Sequence, residues 1–166
     1  GDEQAASEFS RLRSVADEVG VSNRVEFPGA IHHERLAGYY NAADVVVIPS
    51  FYESFGLVAL EAMASGVPVV ASRVGGLTST VADGRSGYLV PWRCPEPFAE
   101  KIDLLLSNDE LRRALGVSGV ESVQRYSWQK VASTLLSIYE DILTQGSLLQ
   151  EAHKDGRERA VVVGRD

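Results

Sequence analysis

Sulfur is scarce in this chain. Cys94 is its only cysteine, so no disulfide can form within it, and a fold of 166 residues has to be held by an apolar core. Between Arg93 and Pro95, in what reads as a loop, Cys94 reads as an incidental thiol and suits a reducing compartment. Histidine is equally sparse. His32 and His33 are adjacent and diverge on a helix, and His153 is far away in sequence, so no metal site is expected from them. Basic residues are in deficit: 16 Lys and Arg against 23 Asp and Glu leave a net charge of −7. That balance argues against a nucleic-acid-binding surface for the chain as a whole. No apolar run is long enough to span a membrane, and Gly1-Asp2-Glu3-Gln4 is acidic where a signal peptide would be basic. A cytoplasmic location is the resulting expectation. No G-x-G-x-x-G follows a strand, which disfavours a dinucleotide-dependent oxidoreductase.

What is present is a strict alternation of two periodicities. Apolar residues at Ala5, Phe9, Leu12, Ala16 and Val19 predict an amphipathic helix over 3–19, closed by Gly20. The segment 24–29 reads as a short strand, and 33–41 as a helix with Leu36, Tyr39 and Tyr40 facing inward. Val45-Val46-Val47-Ile48 is the continuous apolar run of a strand buried on both faces. A helix over 56–65, a strand over 67–72, a turn or short helix from Gly75-Gly76, a tight turn at Asp83-Gly84 and a strand over 88–90 follow. Two more helices are expected, over 97–106 and, capped by Ser127, over 128–143 with a stripe of Trp128, Val131, Leu135, Ile138 and Ile142. After Gly146 the pattern decays into a charged tail ending in Ala160-Val161-Val162-Val163. Alternating β and α with short Gly-marked connections predicts an α/β domain with a doubly wound parallel sheet, Rossmann-like. With four readable strands and a helix at the start, the sequence reads as part of such a domain.

The stretch "PSFYESFGLVALEAMASGVPVV" poses the functional question, because Glu61 sits inside an apolar run and Glu53 precedes it by eight residues. Ligands of open α/β sheets bind beyond the carboxyl ends of the strands. The loop 49–56 lies there and leads into a helix, so the amides near Phe55, Gly56 and Leu57 are donors for anionic oxygen. Glu53 at the rim and Glu61 within the helix are acceptors for ligand hydroxyls, a combination that suits a nucleotide sugar. On spacing alone a second reading stands level with it: Glu53 caps the helix from outside, and Glu61 finds a lysine or water.

The run "ESFGLVALEAMASGVPVVAS" resembles the donor-binding segment of retaining glycosyltransferases of the GT-B type, the group that includes glycogen, sucrose and mannosyl transferases. Its hallmark is a Glu, seven residues, then a Glu, here Glu53 and Glu61. "NRVEFPGAI", "YYNAADVVVIPS", "VGGLTSTVADGRSGYLVP" and "YSWQKVASTLLSIYEDIL" are similar to the family in order and spacing, over about the first 145 residues. The resemblance implies transfer of a hexose from a nucleoside diphosphate sugar with retention, without a bound metal or other cofactor. It implies that Glu53 bonds ring hydroxyls of the hexose and that Ser54, Phe55, Gly56 and Leu57 meet the sugar and diphosphate. It implies that Glu61 binds the ribose, while Gly29, Ala30 and Ile31 line the base.

Against that family, the chain departs in several ways. Ser79 stands where the family often has Glu after the Gly-Gly turn. Nothing resembles the N-terminal acceptor domain, and the basic pair that neutralises the diphosphate has no counterpart. The expectation is therefore a C-terminal donor domain over 1–145 lacking its first strands, inactive alone, followed by a tail over 146–166. That tail either adds an edge strand or is a mobile or self-associating end. Two alternatives remain open: a binding module that keeps the donor pocket without catalysis, and a sugar-nucleotide epimerase of the same architecture.

Overall fold

Three apolar runs become three parallel strands in the computed structural model, which describes residues 2–154 and the side chains of residues 6–144. They are β1 (Val46–Ile48), β2 (Val69–Ser72) and β3 (Gly87–Val90), in that spatial order. Val46 pairs with Val69 at one end and Ile48 with Ala71 at the other, while β3 runs from Gly87 beside Val69 to Val90 beside Ser72. All four residues of β2 are buried, as expected of a central strand covered on both faces.

Alternate side chains of the strands feed two separate cores. Val69, Ala71, Ile48 and Leu89 join Ala59, Leu60, Ala62 and Met63 of α3 (Leu57–Ala64) and Leu77 of α4 (Leu77–Thr80). Val70 and Val90 point the other way, to Phe98 and Leu105 of α5 (Pro95–Ser107) and Leu115 of α6 (Asp109–Val123). A strand has period two, so one short strand serves both layers. This is the doubly wound parallel arrangement read from the sequence.

The described chain divides into two compact units, one ending at Gly38 and the other starting at Tyr39. In the first, α1 (Asp2–Val19) closes at Gly20, whose φ of 76° lets the next amide, that of Val21, reach back to the Ala16 carbonyl at 2.9 Å. Phe9 of α1 meets Phe27 edge-to-face at 5.1 Å, with Arg13 over the Phe9 ring. The segment read as a strand at 24–29 is not one. Among the described residues no strand pairs with it, Pro28 offers no amide, and Gly29 turns away with φ 72°. The helix α2 (His33–Ala42) follows.

The helix α6 was not anticipated from apolar spacing. Gly116 and Gly119 interrupt its pattern, yet both are contact points. A Cβ on Gly116 would run into the Gly66 carbonyl, and one on Gly119 would lie 3.3 Å from Met63. The glycines let α6 settle against the end of α3. The missed signal was Asn108, whose side chain accepts from the Leu111 amide at 3.0 Å, with Asp109 and Glu110 in the first turn.

The last helix, α7 (Trp128–Lys154), starts where Ser127 was expected to cap it and runs on through Gly146. The residues 147–152 are mostly helix formers, and one glycine costs only about 1 kcal/mol. Its stripe is real as a helix face but is not a buried one, since Trp128 is 83% exposed and Ile142 60%. Periodicity fixes which face is apolar, not what covers it. The Ala160–Val163 run, expected as an added strand or a self-associating tail, lies outside the described residues.

The outer edge of β3 is finished by a side chain. The Leu89 amide donates to Asp83 Oδ1 at 3.0 Å, and Arg73 donates to Asp83 Oδ2 at 2.5 Å and to the Leu89 carbonyl at 2.9 Å. Partial burial pushes the Asp83 carboxyl up, but the Leu89 amide, Arg73 and Lys101 together hold it below its ordinary 3.8. The charged form is thus favoured in the folded state, so its stabilisation is present above 3.8 and is lost as pH falls through the lower native value. Urea unfolding at a series of pH values should show wild type more stable than Asp83→Asn near neutrality, with the gap closing in acid. A gap that does not change with pH would contradict this assignment.

Candidate functional site

The loop after β1 and the helix it feeds place the two glutamates of the E-x7-E pattern. The chain leaves the sheet at Pro49, exposes Phe51 and Tyr52, and reaches Gly56 with φ 89°. That left-handed conformation favours glycine, and a Cβ would press on Thr80 Oγ1 at 3.0 Å and Leu77 Cδ2 at 3.1 Å. α3 then begins at Leu57 at the carboxyl end of β1, with its first amides lacking intrahelical acceptors.

Glu53 is half-buried and turns back onto this helix start. Its Oε1 accepts from the Gly56 amide at 3.1 Å and, in a longer bond, from the Phe55 amide at 3.5 Å. The capping geometry left open by spacing alone is therefore the one seen in the structure. Phe55 and Gly56 spend their amides on Glu53, and Leu57 opens the helix beside them. A carboxylate at this end also meets the positive end of the α3 dipole.

The loop is held from behind by backbone. The Gly76 amide donates to the Glu53 carbonyl at 2.8 Å. A Cβ on Gly75 would collide with that same carbonyl, and one on Gly76 with the Ser54 carbonyl. The Gly75-Gly76 pair, read from the sequence only as the start of a turn, is a flat surface against which the segment 53–55 lies. Ser79, at the departure from the family pattern, uses its carbonyl to accept from Arg125 and Tyr126. Phe55 meets the Tyr126 ring edge-to-face at 5.7 Å.

Glu61 is not a misfit in the apolar helix. Ala59, Leu60, Ala62 and Met63 form the buried side of α3, while Leu57, Glu61 and Ala64 share its outer side at i, i+4 and i+7. Half-buried there, Glu61 lines an open groove of about 550 Å³ together with Leu57, Leu60, Tyr126 and Trp128. Its Oε2 accepts from the Tyr40 hydroxyl at 2.9 Å. Tyr40, expected only to face inward, is the site neighbour that sequence spacing did not single out. The structure thus gathers Glu53, Ser54, Phe55, Gly56, Leu57 and Glu61 on one loop and helix. Gly29, Ala30 and Ile31 belong to the first compact unit, between the 3-10 turn at Ser22–Arg24 and α2.

The parallel α/β sheet with this acidic loop at a strand's carboxyl end is shared with solved glycosyltransferases of the GT-B type. The chain belongs to the family Glycosyl transferases group 1, whose model matches residues 5–122. It is 43% identical over 141 residues to D-inositol 3-phosphate glycosyltransferase of Corynebacterium glutamicum, covering 85% of this chain and 34% of that protein. Among solved structures it resembles sucrose-phosphate synthase from Thermosynechococcus elongatus, with 42% identity and a TM-score of 0.76 over 84% of this chain and 35% of that one. It also resembles HepE from Anabaena, solved with UDP-glucose, at 27% identity and TM-score 0.69, covering 78% of this chain and 36% of that one. The chain spans about a third of the length of these relatives.

The backing of the loop can be tested by substitution. Gly76 has φ −61°, which alanine adopts freely, so the cost of Gly76→Ala is steric alone. A loss of about 1–3 kcal/mol in urea-unfolding free energy is expected from overpacking. An alanine variant as stable as wild type would show that the loop does not lie tightly on the turn.

Proposed function

We propose that this chain is the donor-binding side of a retaining glycosyltransferase that moves a hexose from a nucleoside diphosphate sugar to an acceptor. One observation carries the reading: Glu53 and Glu61 flank the N-terminus of α3 on a single loop–helix unit at the carboxyl end of β1. That edge is where parallel α/β sheets receive ligands. The relative solved with UDP-glucose and the family match support it.

Each residue then has a task. Glu53, with Oε1 fixed by the Gly56 amide, turns its other oxygen to a hydroxyl of the hexose. The amide of Leu57 and the positive end of α3 face the diphosphate, with Ser54 and Phe55 beside the sugar. Glu61 takes the ribose hydroxyls, and Gly29, Ala30 and Ile31 line the base. Negative charge growing on the leaving diphosphate is met electrostatically, with no metal ion in the reading. Residues 1–145 act as the donor domain, and the acceptor side comes from the remainder of a longer protein. Stabilising the transition state needs both sides of the cleft, so the chain by itself binds donor without turning it over.

Calorimetric titration with UDP, GDP and ADP tests the division of labour. Glu61→Ala should weaken binding about tenfold or more, as hydrogen bonds to a charged group contribute about 1.5–3 kcal/mol, and Glu53→Ala should weaken it less. Equal effects of the two substitutions would count against the ribose assignment. Sugar transfer to water or added glycan should be absent when the purified chain is incubated with UDP-, GDP- or ADP-hexoses. Measurable turnover would overturn the reading of the chain as one half of the machinery.

A further inference from the structure

We infer that Tyr40 is a positioning residue for Glu61, holding its carboxylate in the orientation that receives a vicinal diol; this rests on the proposed ribose role of Glu61. The contact spans 21 positions in sequence and joins the end of α2 to the outer face of α3. Three observations support more than a chance surface bond.

The ring of Tyr40 is anchored independently of Glu61. It packs against the core that contains Ile48, Ala59, Leu60 and Met63, so the hydroxyl is held in place by the sheet and helix layer. Glu61, by contrast, stands half-buried on the outward face of α3 beside an open groove, with three side-chain torsions to fix. A glutamate that has to be ordered by its ligand gives up binding free energy to do so, and one already ordered does not. The direction of the bond is also settled. Burial first, then the hydrogen bond and the charge of Glu61, push the Tyr40 phenol up to about 12. The phenol therefore keeps its proton at physiological pH and acts as donor, with the carboxylate as acceptor.

The acceptor count fits a diol. An ionised carboxylate has about four acceptor positions on two oxygens. Tyr40 takes one of them on Oε2, leaving both positions on Oε1 and one on Oε2. Two neighbouring hydroxyls of a ribose need one position on each oxygen, in the plane of the carboxylate. A donor fixed on Oε2 narrows the rotamers of Glu61 while one position on each oxygen stays open. Packing alone would make Tyr40 a staple between two helices, and the two roles differ in what they do to ligand choice.

Tyr40→Phe keeps the ring and removes only the donor. In the 166-residue chain it should weaken UDP binding about three- to tenfold, with GDP and ADP titrated in parallel to find the tightest probe. It should leave binding of the matching 2′,3′-dideoxynucleotide unchanged, and cause no further loss in a Glu61→Ala background. Equal weakening of the ribo and dideoxy probes, or a full additional loss in the Glu61→Ala background, would reduce Tyr40 to a structural staple and overturn the inference. No effect of Tyr40→Phe on any probe would overturn it as well. If Glu61→Ala itself leaves UDP binding intact, or wild type binds none of the three nucleotides, the ribose reading fails first and takes the inference with it.

Discussion

Backbone lying on backbone sets the geometry of this site. The Gly75-Gly76 turn after β2 presses on the carbonyls of Glu53 and Ser54 with no side chain between, and the Gly76 amide bonds the Glu53 carbonyl at 2.8 Å. With that loop fixed, Gly56 enters its left-handed turn, α3 starts at a fixed point past β1, and Glu53 reaches the Gly56 amide. Contacts of this kind tolerate little adjustment, because packed protein interiors leave no room for a methyl group that was not there before. The loop is thus positioned by the ends of two adjacent strands, β1 and β2, held in register by their own ladder.

The helix α3 shows how one short element serves stability and chemistry together. Its inner side supplies four buried residues to the core shared with β1, β2 and α4, which ties its position to the sheet. Its outer side carries Glu61, whose carboxylate meets the anchored hydroxyl of Tyr40 rather than a lysine. An acidic residue in an apolar run is costly only when the run is buried all round. Here the helical period moves it to the rim.

Much of this was legible in the residues because each feature had a local cause. Val45–Ile48, Val67–Ser72 and Tyr88–Val90 are short apolar runs, each with a Gly or Pro at one end at least, and each became a parallel strand within two residues of the expected bounds. Glu53 and Glu61 stood out because a loop before a helix and an acid within an apolar run both ask for a partner. What stayed hidden depends on tertiary partners. The segment 24–29 has strand-like residues but no described strand beside it, and it forms none: Arg24 ends a 3-10 turn and Gly29 has φ 72°. Gly116 and Gly119 weaken α6 locally and are repaid by its close approach to Gly66 and Met63. The exposed stripe of α7 has the right period and no cover among the described residues. The Tyr40–Glu61 bond joins residues 21 positions apart, and no periodicity connects them.

The central proposal is a nucleotide sugar held between Glu53 and Glu61. Isotope-edited NMR of the labelled chain with UDP would report which protons lie near which. Nuclear Overhauser contacts from the ribose protons to Glu61 and Tyr40, with shifts of the Leu57 amide, are the expected result. Contacts of the ribose confined to other parts of the chain, with Glu61 and Leu57 unmoved, would contradict it.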